Sequence, residues 1–258
     1  MSSRLQSTIN IVIFLGLMAF NNIANKLPLG GVTQRELSAE YQILLTPAGY
    51  VFAIWGLIYL GLTAYVILQA RPTRRDEPWL RALDLPFRLS CFCNVLWLTA
   101  WHYRYVALSL FIMLGLLSSL ILAYVRLDQY RHQQSASSQW FIFQTFSIYL
   151  GWVSLATLLN VAVLLYVTGW NGGPLTPQVW TAILVCVAFG LFLFLAIPRQ
   201  DAAVMGVLVW ASVGIGVKNQ DESLIFITCI AICIAGAITA GRLSRKAAVS
   251  SHRTFEKI

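Results

Sequence analysis

The stretch Thr46-Pro-Ala-Gly-Tyr-Val-Phe-Ala-Ile-Trp-Gly-Leu-Ile-Tyr59 opens an uncharged apolar run that reaches Gln69. Thr46 and Pro47 suit the cap and first turn of a helix. On that helix Phe52, Trp55 and Tyr59 recur at i, i+3 and i+7 and share one side, while Gly49, Ala53 and Gly56 form a strip of small residues beside them. An aromatic wall next to a close-packing strip suggests a ligand pocket between helices. Taken alone, the pattern is equally that of ordinary packing in an apolar helix.

The rest of the chain puts this helix in a membrane. Of 258 residues, 58% are hydrophobic and 11% charged, against about a quarter charged in soluble domains. Uncharged or nearly uncharged runs lie near 6–25, 48–70, 87–103, 105–125, 141–168, 178–197, 202–217 and 223–241, each close to the roughly 17–25 residues that cross a bilayer. Eight spans are therefore expected. They divide the basic residues unequally: fourteen Lys and Arg fall on one side and four, Lys26, Arg35, Arg104 and Lys218, on the other. Because positive charge in short loops marks the cytoplasmic face, both termini are expected in the cytoplasm of a multi-pass protein of a bacterial cell membrane. The net charge of +8 then calls for anionic lipid rather than nucleic acid as its partner.

Two spans have alternatives. Residues 6–25 also resemble a signal peptide, with Arg4 ahead of an apolar Ile11–Phe20 core, but no convincing small-residue cleavage site follows. Residues 202–217 are short and contain Gly206, Gly214 and Gly216, consistent with a re-entrant segment. Five cysteines, Cys91, Cys93, Cys186, Cys229 and Cys233, all sit in apolar runs without His or acidic partners. They read as buried thiols, not metal ligands.

Loop chemistry divides the chain. The polar segment 26–45 is long enough to fold over one mouth of a bundle or to serve as a solvated connector. Thr168-Gly-Trp-Asn-Gly-Gly-Pro-Leu-Thr-Pro177 is the strongest break. The expected organisation is a five-helix bundle over 1–168, three further helices over 169–241 and a basic tail over 242–258. The last helix offers Ala231, Ala235 and Thr239 as a packing seam.

Inside the first five spans, amides and aromatics recur at helical spacing. Asn10, Phe14, Leu17, Asn21 and Asn25 line the first; Ser90, Asn94, Trp97 and Trp101 the third; Thr145, Tyr149, Trp152, Ala156 and Asn160 the fifth. Asn is costly in hydrocarbon unless paired, so these faces should turn inward. Such groups also serve as interhelical glue, at about 0.6–2 kcal/mol per hydrogen bond.

This set resembles the TspO/MBR family, the tryptophan-rich sensory proteins that include the mitochondrial translocator (peripheral benzodiazepine receptor). Pro47, Phe52, Trp55 and Tyr59 match the family's second helix, Asn94-Val-Leu-Trp97 its third, and Tyr149-Leu-Gly-Trp152, Ala156 and Asn160 its fifth. The matches run in family order from residue 1 to about 168. Departures exist: Pro47-Ala48-Gly49-Tyr50 replaces the tandem Pro and following Trp, the first-loop Trp-Tyr pair is absent, and Tyr166 lacks the nearby basic residue of a sterol-type motif. Leu122-Ala-Tyr124-Val-Arg126 fits that motif on the fourth helix instead. The last three helices have no counterpart in a five-helix family, so an extended relative is expected.

The resemblance implies an all-α membrane protein that binds porphyrins or other flat apolar ligands, with sensory or transport-linked roles. Its ligand-binding residues would be Phe52, Trp55, Tyr59, Asn94, Trp97, Tyr149, Trp152 and Asn160, with no required cofactor beyond a bound tetrapyrrole. Indole and phenol rings stack on a planar ligand, and Asn94 and Asn160 would orient its polar edge. Membrane lipid, a small apolar ligand and a second copy in a homodimer are the expected partners. A secondary transporter is the alternative reading, although it would need ionisable groups in the membrane interior, where none is expected. Catalysis is not expected: His102 sits at a membrane edge and His132 and His252 lie in a loop or tail, with no triad or metal-ligand cluster. A retinal pigment is disfavoured because Lys218 falls near a loop.

Overall fold

A computed structural model describes residues 2–26, 29–130, 137–170 and 172–255. Among them the ordered elements are helical: α1 (Ser3–Lys26), α2 (Gln34–Glu40), α3 (Ile54–Ala70), α4 (Pro78–Ala82), α5 (Asp84–His102), α6 (Val106–Gln129), α7 (Ser137–Val167), α8 (Pro177–Arg199), α9 (Ala202–Lys218) and α10 (Ser223–Phe255). Short 3-10 turns occupy Leu29–Gly31 and Gly49–Ala53, the second running directly into α3. Six spans combine the length and apolarity needed to cross a bilayer: Ser3–Ala24, Gly49–Ala70, Val106–Gln129, Ser138–Val167, Pro177–Arg199 and Ser223–Lys246. The 17-residue α9 is apolar but shorter, and α5 carries Asp84, Arg88, Asn94 and His102. This is a multi-pass integral membrane protein. The expected tail after 241 is not a separate element, because α10 continues to Phe255.

Two compact units make up the chain. The first contains residues 1–42 and 53–168, and its long helices form a ring in which α1 packs on α3 and α5, α5 on α6, α6 on α7, and α7 back on α3. The ring closes over aromatic side chains. Tyr65 of α3 meets Phe87 of α5 at 4.9 Å and Phe146 of α7 at 5.7 Å, and Phe14 of α1 lies 6.3 Å from Phe87. A Cβ at Gly61 would collide with Thr145, so glycine sets the approach of α3 to α7.

Polar groups tie the N-terminal end of α1 to the same neighbours. Asn10 Nδ2 donates to Asp84 Oδ1 (2.6 Å) and Gln69 Oε1 (2.8 Å), while its Oδ1 accepts from Arg88 Nε at 2.6 Å. Arg88 also donates to Gln6 Oε1, and Arg81 to Asp84 and Ser7. Asp84, the first residue of α5, is 8% exposed. The carboxylate is tolerated there because Arg81 stands one turn earlier and Asn10 faces it.

The second unit contains residues 43–52 and 169–258. Thr176 caps α8 through the Val179 amide and Pro177 occupies its first turn. Asp201 caps α9 through Ala203 and Val204. The packing seam of α10 is not the one expected. Ala231 is exposed, whereas Ile225, Cys229 and Ile232 are buried and Gly236 approaches Val209 of α9. Ile225, Cys229, Ile232 and Gly236 fall at i, i+4, i+7 and i+11, and a branched residue needs a glycine opposite it at this distance. The thiols are likewise not uniformly buried: Cys186 is exposed on α8.

Candidate functional site

Residues 29–45 belong to the segment read either as a fold-over loop or as a solvated connector, and they carry α2. Thr33 and Glu36 form a reciprocal capping box that starts α2, and Glu40 at its end receives both Arg104 nitrogens, at 2.7 and 3.1 Å. Leu37 and Tyr41 are buried as a result. Burial pushes the Tyr41 phenol up, with Arg104 opposing, so the ring is neutral where it packs on Trp101 at 5.6 Å. Gly30, at φ 67°, lies so close to the His102 carbonyl that a Cβ would stand 2.7 Å from it. Only glycine fits there. His102 is fully buried, with Nδ1 2.7 Å from the Leu98 carbonyl, and is not the solvated interfacial group its position suggested. The loop that closes over the end of α5 has buried it.

Under this loop the aromatic stripes meet. Tyr59 lies 5.6 Å from Trp55, Trp55 lies 6.4 Å from Trp97, and Trp97 lies 6.3 Å from Trp101, each pair within 29° of parallel. Tyr149 and Trp152 of α7 approach Trp55 edge-on at 5.8 and 6.4 Å. Each contact falls in the favourable range for aromatic pairs, worth about 0.5–1.5 kcal/mol beyond burial. A chain of hydrogen bonds runs beside the rings through four helices. Tyr59 donates to Asn21 (2.8 Å), Asn21 to Asn94 (3.3 Å) and Asn94 to Tyr149 (3.3 Å).

Six of the expected residues therefore come together: Trp55, Tyr59, Asn94, Trp97, Tyr149 and Trp152. Two do not join them by any of these contacts. Asn160 accepts from Ser109 of α6 at 3.1 Å and donates to the Ala156 carbonyl, which makes it a tie between α6 and α7. Phe52 falls in segment 43–52 of the second unit. The expected small-residue strip is not a packing surface, because Ala53 and Gly56 are exposed and a Cβ at Gly56 would meet nothing within 4 Å. Trp101, Tyr41 and Asn21 belong to the cluster but were not singled out as ligand contacts. Trp101 was legible as the residue one turn beyond Trp97, and Asn21 as part of the α1 stripe; Tyr41 had no sequence signal.

The polar character of the cluster is one-sided. The indole nitrogens of Trp55, Trp97 and Trp101 are buried and find no acceptor among the described residues. A buried unpaired donor costs about 1–3 kcal/mol, so three within one line of rings mark a place suited to a molecule that supplies acceptors. Trp55 and Tyr59 are half-buried, so the cluster reaches the outer face of α3 beside Ala53 and Gly56.

Other candidates are weaker. The sterol-type segment on α6 is turned inward: Tyr124 is buried against Phe143 at 5.4 Å and Arg126 donates to the Ala82 carbonyl. A groove in the second unit, lined by Val179, Ala182, Ile183, Cys186, Val187 and Leu224, is apolar and open, as a lipid-facing surface is. Trp79 of α4 is 6% exposed and donates to Glu77 at 2.6 Å.

No curated protein and no solved structure matches the chain. A family model does: that of the TSPO-like protein, over residues 7–242, a span that includes α8, α9 and most of α10. Those helices are therefore part of the matched pattern and not an addition to it. With a closed ring of five helices, a tryptophan-rich cluster at one end of it and a match across most of its length, the chain belongs to the TSPO-like family.

Proposed function

We propose that this membrane protein, which its family assigns to sensory or binding roles in general, binds a porphyrin or a similar flat, largely apolar molecule at the Trp55/Trp97/Trp101 cluster. One observation carries the reading. A line of near-parallel rings buries three N–H donors that find no acceptor among the described residues, so the complementary ligand has a broad π-face and acceptor groups such as carboxylates at its edge. Ring faces supply affinity; the donors fix orientation. The reading assigns binding, not catalysis, to this site.

The test is direct. Full-length protein purified from porphyrin-producing cells should carry a Soret band that travels with it through gel filtration, and added porphyrin should quench its tryptophan fluorescence. Absence of both would remove the reading.

A secondary transporter is favoured by one observation, the buried Asp84 bonded to Asn10 and Arg81, since interior ionisable groups couple ions in such proteins. Solute accumulation in sealed vesicles that collapses in Asp84→Asn would promote it. The charge division among loops further supports cytoplasmic termini. A cysteine introduced at Ala248 should resist impermeant reagents added to intact cells, and labelling there would reverse the orientation.

A further inference from the structure

Within the first unit, one amide forces the direction of the hydrogen bonds around it. Arg88 can only donate, so the Asn10 atom that meets its Nε at 2.6 Å is the amide oxygen. The Asn10 Nδ2 must then donate, as it does to Asp84 Oδ1 at 2.6 Å and to Gln69 Oε1 at 2.8 Å. This fixes the Gln69 oxygen as an acceptor, and the atom left over is its Nε2, a donor. That nitrogen is buried and finds no acceptor among the described residues. One turn earlier on α3, the Tyr65 hydroxyl is in the same state. Gln69 is 1% and Tyr65 0% exposed, so bulk water reaches neither side chain.

Charge points the same way. Two guanidiniums, those of Arg81 and Arg88, stand around Asn10 with one carboxylate. Arg81 pairs with Asp84 at 3.1 Å. Arg88 has only neutral acceptors, the Asn10 oxygen and the two oxygens of Gln6, so the cluster carries one positive charge with no counter-ion among the described residues. The Tyr65 ring packs on Phe87, which precedes Arg88 in the chain, and its hydroxyl lies within electrostatic reach of Asp84, Arg81 and Arg88. The connection between α3 and α5 adds Arg71, Arg74 and Arg75 against Asp76 and Glu77, and an excess of one sign raises the local concentration of the other.

We infer that this end of the ring binds a small inorganic anion of about the size of chloride, held by the Gln69 Nε2 and Tyr65 O–H groups with Arg88 as its counter-charge. Open donors beside an excess positive charge, in a place of low dielectric, are complementary to an anion. A water molecule would satisfy the donors and leave the charge. Burial of both donors makes the occupant a free ion, since a lipid headgroup stays tethered at the membrane surface. The site is separate from the aromatic cluster and does not depend on porphyrin binding.

The test is thermal unfolding of full-length protein in detergent, with sodium chloride exchanged for sodium gluconate at constant ionic strength. Chloride should raise the melting temperature saturably, by roughly 3–6 °C at ten times its Kd. Tyr65→Phe deletes only a hydroxyl without an acceptor, so its melting temperature in gluconate should match wild type while its chloride midpoint moves up about tenfold. Arg88→Gln should abolish the response. If Arg88→Gln does not fold, Tyr65→Phe decides the question alone. Wild type should also broaden the chloride NMR line, bromide should narrow it again, and Tyr65→Phe at the same concentration should broaden it less. Identical melting in chloride and gluconate overturns the inference and leaves water as the occupant. A chloride response that Tyr65→Phe leaves unchanged overturns it as well, because the ion then binds elsewhere.

Discussion

At the start of α5, Asp84 and Arg88 are held by Asn10, Arg81 and Gln6; at its end, Trp97 and Trp101 bury N–H groups that find no acceptor among the described residues. One helix thus carries both a nearly satisfied polar cluster and an unsatisfied aromatic one. The first resembles the interhelical ties that make a bundle specific, in which each buried charge has a partner. The second leaves about 1–3 kcal/mol per donor unrealised, a cost that a fold optimised for stability alone would remove with Phe. The difference separates residues whose polar groups tie the ring together from residues whose donors are left open, and the proposed ligand site rests on the second group.

That separation is broken most easily at the polar end. Asp84→Ala should lower stability by about 1.5–3 kcal/mol, the usual worth of hydrogen bonds to a charged group, because it takes one acceptor each from Arg81 and Asn10. Asn10 keeps Gln69 and Arg81 keeps Ser7 as acceptors, so thermal unfolding in detergent measures the loss of one acceptor each, and the folded fraction should bind porphyrin like wild type. Reduced affinity there would mean that the two ends are coupled.

At the aromatic end the effects should reverse. Trp97→Phe keeps most of the apolar area and removes a donor that has no protein acceptor, so stability should change little. Affinity should fall by about 0.5–1.5 kcal/mol, a few-fold to about tenfold. A large drop in melting temperature with unchanged affinity would reassign the ring to packing.

The smallest effect belongs to the lid. Glu40→Gln removes one charge of the exposed pair with Arg104, and surface pairs contribute little. Ligand dissociation should quicken by up to about fivefold and the difference should vanish in high salt. Stopped-flow release measured at two ionic strengths would show it, and a salt-independent change would point away from the tether.

Much of this division was legible in the sequence, and its gaps have physical causes. The spans were visible because length and apolarity suffice to locate them. The inward faces of α1, α5 and α7 were visible because an amide in hydrocarbon must find a partner. Which partner it finds is a tertiary fact: Asn94 and Asn160 look equivalent in sequence, yet one bonds Tyr149 and the other Ser109. Asp84 looked like a loop residue because its acceptor role depends on Asn10, 74 positions away. The hold of α9 on Val51 spans 159 positions, and no local pattern announces it. Gly214 was noticed only as a possible break in a short span, when its lack of a side chain is what admits Val51.

Titration of porphyrin into detergent-solubilised wild type, Trp55→Phe, Trp152→Phe and Trp140→Phe, followed by tryptophan quenching, addresses the aromatic cluster most directly. Trp55 and Trp152 meet at right angles in the cluster, while Trp140 is 58% exposed on α7. Wild type and Trp140→Phe should bind alike, and the two cluster variants should each bind about threefold to tenfold more weakly. Equal affinity in all four folded proteins, or no binding by any of them, would contradict a ligand site at the rings.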